Sequence, residues 1–125
     1  MQLVAGCHGT LMAVISPIFW QRKASFVFII DIEYTVSLDK IDPLIPEHVI
    51  FLNKYYDAGV FVMSGRKEPR SGGIIIAKAN SRQAIEALIE EDSFYQANVA
   101  NYRITEFLPG KAAAGLEDLC EPVQR

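Results

Sequence analysis

Side chains that can move a proton near neutral pH are scarce here: the chain has two histidines, His8 and His48. His48 lies in Pro46-Glu-His-Val-Ile-Phe-Leu52, the opening turns of a helix-forming stretch. Near a helix N-terminus the dipole disfavours an imidazolium. A neutral imidazole there can act as a general base. The competing reading is a packed, inert histidine beside Leu52 and Tyr55. A catalytic base also needs an acid to orient it. Asp57 shares the helix, but at about 100° per residue it falls on the side away from His48. It is assigned to solvent or to the turn at Gly59. Asp92, just ahead of Phe94-Tyr95, is another carboxylate. No one-dimensional spacing brings it to His48, so the fold has to.

Ser64-Gly65-Arg66 closes a strand-like run. The backbone at Gly65 can approach a ligand closely, and Ser64 offers a hydroxyl without the Gly-x-Ser-x-Gly setting of a nucleophile. Arg66, Lys67 and Arg70 form a basic cluster broken by Glu68 and Pro69. It is either a solvated hairpin loop or a clamp for a carboxylate or phosphate. Gly72-Gly73 has neither dinucleotide nor P-loop spacing. Phe51, Tyr55, Tyr56, Phe94 and Tyr95 read as core and pocket wall. Cys7 and Cys120 lack metal-ligand spacing, and a structural zinc takes about four ligands. We therefore expect no metal and no cofactor. Two cysteines near opposite ends give no disulfide framework, and the expected setting is a reducing cytoplasm.

These residues sit in a chain of 125, half of it apolar, 22% charged, with a net charge of −3. That composition folds rather than staying disordered, and the length allows one domain. The acidic balance argues against nucleic-acid binding through a basic face. From Ser25 onward the order is regular. Phe26–Thr35 is rich in β-branched and aromatic residues and reads as a strand. Ser37–Pro46 reads as a loop. Pro46 to Ala58 reads as a helix, with Pro46 at the start, Glu47 in the first turn and Gly59 beyond the end. Ile45, Val49, Leu52 and Tyr56 form its expected core stripe. Val60–Ser64 and Ile74–Ala77 are the next strands, joined by Gly65–Gly73. Asn80 and Gln83 suit a capping box for a helix reaching about Glu91. Asn101–Leu108 alternates as a fourth strand, stopped by Pro109-Gly110. A turn of helix fits the Ala-rich tail.

This order, β-α-β-β-α-β, is the split βαβ, ferredoxin-like α+β topology with an antiparallel sheet. Its open face would expose three consecutive isoleucines, Ile74–Ile76, so something has to cover it. A second copy of the sheet does so in a face-to-face homodimer. Residues 1–24 form an extension, 25–111 the domain and 112–125 a tail. The apolar run from Leu3 to Trp20 is broken by Gly6, His8, Gly9, Ser16 and Pro17, with Arg22 and Lys23 after it. That suits neither a membrane span nor a signal peptide. It reads as a weakly ordered extension or as a start assigned upstream of the functional protein, near Ser25.

Ser25 to Lys111 resembles the YCII-related family of small proteins with a dimeric α/β-barrel fold. The resemblance rests on Phe26-Val-Phe-Ile-Ile30, the Pro-Glu-His48 helix, Asp57-Ala-Gly59, the strand ending Ser64-Gly65, Gly72-Gly73-Ile-Ile-Ile76 and Asp92-Ser-Phe94. It implies a catalytic histidine–aspartate pair, with the histidine at His48 and the aspartate at Asp92. Ser93 stands where the family usually has proline. The fold is similar to that of muconolactone isomerases, and one branch of the family dehalogenates a hydroxylated aromatic.

The expected function is acid–base chemistry of isomerase, lyase or dehalogenase type on a small organic acid. His48 would be the base, Asp92 its orienter, and Ser64, Gly65 and Arg66 the substrate contacts. The alternatives are a non-catalytic small-ligand-binding dimer and an ancillary subunit of a larger enzyme.

Overall fold

The computed structural model describes residues 26–120. The extension over 1–24, the proposed start at Ser25, and Cys7 and His8 lie outside the described residues. Strand β1 spans Phe26–Tyr34. A short helix α1, Leu38–Ile41, and a 3-10 turn, Asp42–Leu44, lead into α2, Ile45–Asp57. Strands β2, Phe61–Arg66, and β3, Gly72–Ala79, form a hairpin. Helices α3, Arg82–Ile89, and α4, Ser93–Gln96, precede β4, Ala100–Phe107. The tail holds one 3-10 turn, Glu117–Leu119.

The sheet has four strands in the order β2-β3-β1-β4, with every neighbouring pair antiparallel. This is the expected ferredoxin-like topology. β1 and β3 are central, which suits their long apolar runs. Phe28, Ile30 and Ile32 of β1 and Ile75 and Ala77 of β3 point to one face. There they pack on Phe51 of α2, on Ile85, Leu88 and Ile89 of α3, and on Phe94 of α4. Phe28, Ile30 and Ile85 are fully shielded from solvent, and burying each such side chain is worth about 1.5–3 kcal/mol.

Four local expectations are corrected. Ser37–Pro46 is not a loop: it forms α1 and the 3-10 turn, with Asp39 in a first turn and Pro43 where its missing N–H costs nothing. Of the stripe expected on α2, Ile45 and Leu52 do pack against the core, but Val49 and Tyr56 are exposed. Val49 is 42% exposed, whereas Phe51 is 5% exposed. The stripe runs through Ile45, His48, Phe51, Leu52 and Tyr55, because the polar His48 itself holds an inward position. Helix α3 is capped by Ser81, not Asn80. The Ser81 hydroxyl accepts from the Ala84 N–H at 3.1 Å, and the helix ends at Ile89, short of Glu91. Finally, Ile74–Ile76 do not share a face. Ile75 is buried in the core, while Ile74 and Ile76 are half-buried on the other side, as strand alternation requires.

Gly72 lies directly against the backbone of β1. A Cβ there would lie 1.8 Å from the Ile32 carbonyl oxygen, so no other residue fits without moving the strand. Among the described residues no helix is long and apolar enough to cross a membrane.

Candidate active site

Two segments on the helix-bearing side of the sheet build the site. The first is α2, whose opening turns carry His48 inward. The second is the junction between α3 and α4. Asp92 is the N-cap residue of α4, with extended backbone (φ −74°, ψ 134°), and its side chain is wholly buried. Asp is a favoured N-cap because its oxygen satisfies an orphan helix N–H. Here Oδ1 accepts from the Phe94 N–H at 3.3 Å.

The same Oδ1 lies 2.7 Å from His48 Nδ1. A carboxylate only accepts, so Nδ1 carries the proton and Nε2 is left as the basic nitrogen. Nε2 has no hydrogen-bond partner among the described residues, and the His48 side chain is 15% exposed. The ring stacks on Phe94, with centroids 4.2 Å apart and planes inclined by 15°. Proton position and ring plane are therefore both set by residues of one short segment, 92–94.

Asp92 Oδ2 accepts from the Tyr102 hydroxyl at 2.6 Å. Burial, then the Asp92 charge and this hydrogen bond, push the Tyr102 phenol far above its ordinary range. It stays a neutral donor. The buried carboxylate thus receives three hydrogen bonds, from His48, Phe94 and Tyr102. Such full satisfaction is what a buried charge requires. Sequence reasoning misses Tyr102, although a signal for it exists: in an alternating β4 it shares parity with Ile104, on the face that packs inward.

His48 lines a cavity of about 250 Å³ between α2 and the β2–β3 hairpin. Ile45, Leu52, Ile75 and Phe94 supply apolar wall, and Ser64, Gly65 and Arg66 line the opposite side. The Ser64 hydroxyl shares a 2.7 Å hydrogen bond with the Tyr56 hydroxyl. The basic cluster divides. Lys67 pairs with Asp31 at 2.6 Å. Arg70 lines the cavity but is held by Asp42 at 2.5 Å, which raises the guanidinium pKa further. Arg66 has no ion-pair partner among the described residues. Asp57 is exposed and away from the pair. No cluster of three or more His, Cys, Asp or Glu that could hold a metal occurs among the described residues.

The class is thus a ferredoxin-like α+β domain with a histidine–carboxylate pair at a small, mostly apolar cavity. The YCII-related domain matches residues 25–108, and the chain belongs to that family. Among solved structures it is similar to TftG, the 5-chloro-2-hydroxyhydroquinone dehydrochlorinase from Burkholderia phenoliruptrix AC1100, in complex with 2,5-dihydroxybenzoquinone. The TM-score is 0.58 at 16% identity, over 65% of this chain and 92% of that one. A likeness at that identity shows the shared fold. No curated protein gives a match.

Proposed function

We propose that this protein is a cofactor-independent acid–base catalyst of the isomerase, lyase or dehalogenase type, acting on a small unsaturated organic acid. One observation carries the reading: His48 Nδ1 is tied to a buried carboxylate while Nε2 has no partner among the described residues, on a side chain lining a cavity. Nε2 takes a proton from a carbon next to a carbonyl, and the electron pair spreads into the unsaturated system. In an isomerisation the proton returns at another carbon. In an elimination the pair expels a leaving group such as chloride. Asp92 stabilises the imidazolium that forms, without taking the proton. Arg66, the cavity-wall cation without an ion-pair partner among the described residues, binds the acid group.

The fold neighbour supports the substrate class. TftG is a dehydrochlorinase, and its bound ligand is a small oxygenated ring that a cavity of about 250 Å³ suits in size. The proposal includes a homodimer joined through the open sheet face. Ile29, Ile74 and Ile76 lie there with Met63 and Phe107, which are 56% and 43% exposed. Sedimentation velocity tests it, and a monomer at micromolar concentration would exclude it.

The test of the chemistry works whichever of these reactions the site performs. Small unsaturated and hydroxylated aromatic acids are incubated with the protein in D₂O and followed by proton NMR. The expected result is deuterium incorporation or turnover, abolished in His48→Ala and reduced about 10²–10⁴-fold in Asp92→Asn. Ligand binding without exchange or turnover in the parent would instead establish a binding module.

A further inference from the structure

We infer that Ser93 is a positioning residue: its hydroxyl straps the segment carrying Asp92 to the helix carrying His48 and so sets the geometry of the pair. This rests on the reading of His48 and Asp92 as a working pair. Ser93 is 4% exposed, and its Oγ–H donates to the Leu44 carbonyl at 2.8 Å. Leu44 is the N-cap residue of α2. The carbonyl at that position accepts the first intrahelical bond, from the N–H four residues on, which is that of His48. Its second lone pair takes Ser93. One oxygen therefore fixes the backbone of His48 and is itself gripped by the residue next to Asp92.

Other bonds at this junction are local or lead elsewhere. Asp92 Oδ1 caps its own helix at Phe94, and Tyr102 ties the carboxylate to β4 rather than to α2. Besides the His48–Asp92 bond itself, the Ser93 hydroxyl makes the one hydrogen bond between α4 and the start of α2 among the described residues. A single hydrogen bond does not decide whether so well packed a domain folds. It does decide how far α2 can shift against α4, and the pair depends on a 2.7 Å contact.

The test uses the His48 ring as its own reporter, in the full-length protein without substrate. Two-bond ¹H–¹⁵N spectra give the tautomer, and the exchange rate of the ring Nδ1 proton gives its protection. With two histidines, His48→Ala assigns the signals. In the parent, His48 is expected as the Nδ1–H tautomer with a protected proton. Ser93→Ala and Ser93→Pro, which both lack the hydroxyl, should mix the tautomers and speed Nδ1–H exchange about tenfold, with backbone amide spectra still folded. Ser93→Thr, which keeps the hydroxyl, should restore the parent pattern. Ring signals unchanged in Ser93→Ala and Ser93→Pro would overturn the strap and leave the pair standing. A parent without the Nδ1–H tautomer would overturn both.

Discussion

Replacing Tyr102 by phenylalanine removes one hydroxyl and leaves the rest of the residue in place, so its effect can be worked out from the site. The hydroxyl donates to a fully buried carboxylate at 2.6 Å. A hydrogen bond to a charged group is worth about 1.5–3 kcal/mol, and at pH 8 the variant should be less stable by that amount. The gap should then shrink with alkali. In the unfolded chain the phenol ionises near pH 10. In the folded chain burial and the Asp92 charge hold it protonated well beyond that. The folded pKa is the raised one, so the stabilisation is complete below about pH 10 and is lost as pH rises above it. The unfolded state sheds a proton that the folded state keeps, and stability falls by about 1.4 kcal/mol per pH unit. Tyr102→Phe lacks this slope. Other tyrosines with raised values, such as Tyr55, are common to both proteins and cancel in the difference. The two stabilities should therefore converge about one to two units above pH 10. Urea denaturation at half-unit steps from pH 8 to about 11.5 measures this directly. A gap that stays constant across the range would refute the buried, carboxylate-bound phenol.

Gly72→Ala drives a Cβ into the Ile32 carbonyl and should cost about 4 kcal/mol or more, or prevent folding. Gly65→Ala, with nothing within 4 Å of its Cβ, should stay within about 1 kcal/mol of the parent; thermal denaturation separates the two. Ser81→Ala should lose about 1 kcal/mol by removing the cap of α3, and Asn80→Ala almost none, read from urea midpoints. Arg66→Gln should raise KM for an anionic substrate about tenfold with kcat little changed. An equal loss in kcat and kcat/KM would instead place Arg66 in the transition state.

The topology is legible in the chain because each strand announces itself. β1 and β3 are continuous apolar runs, β4 alternates, and Gly59 and Pro109-Gly110 punctuate the chain. The face of α2 misleads for an instructive reason. A stripe sought only among apolar residues passes over His48 and settles on Val49 and Tyr56. Counting His48 as an inward residue brings Phe51, Leu52 and Tyr55 onto the same face. The cap of α3 slips by one residue because Asn80 and Ser81 are both good caps, and only the Ser81 backbone places its hydroxyl at the Ala84 N–H. The partner of His48 is not legible from spacing. Asp92 lies 44 residues away, and that contact is made by the packing of α4 on α2. The Ser93 strap is likewise tertiary, joining residues 49 apart.

Why position 48 holds a histidine can be argued from what the site costs. A leucine there would complete the apolar stripe of α2 and pack on Phe51 and Phe94 with no polar group to satisfy. The chain instead buries a carboxylate completely and aims two further donors at it, the Tyr102 hydroxyl and the Phe94 amide. Ion or polar pairs in an interior rarely outperform a hydrophobic replacement in stability, so stability alone does not account for the arrangement. What it achieves is orientation: one imidazole lining the cavity, with a fixed tautomer, a fixed ring plane and an Nε2 without a partner among the described residues. Interiors that give up stability for such an outcome are typical of sites where function needs it. On this argument a His48→Leu, Asp92→Leu double variant should at least match the single variant Asp92→Leu in stability, because a lone buried imidazole loses its partner in the single variant. A double variant less stable than the single one would show that the imidazole stabilises the fold by its own packing, with no functional role needed to explain it.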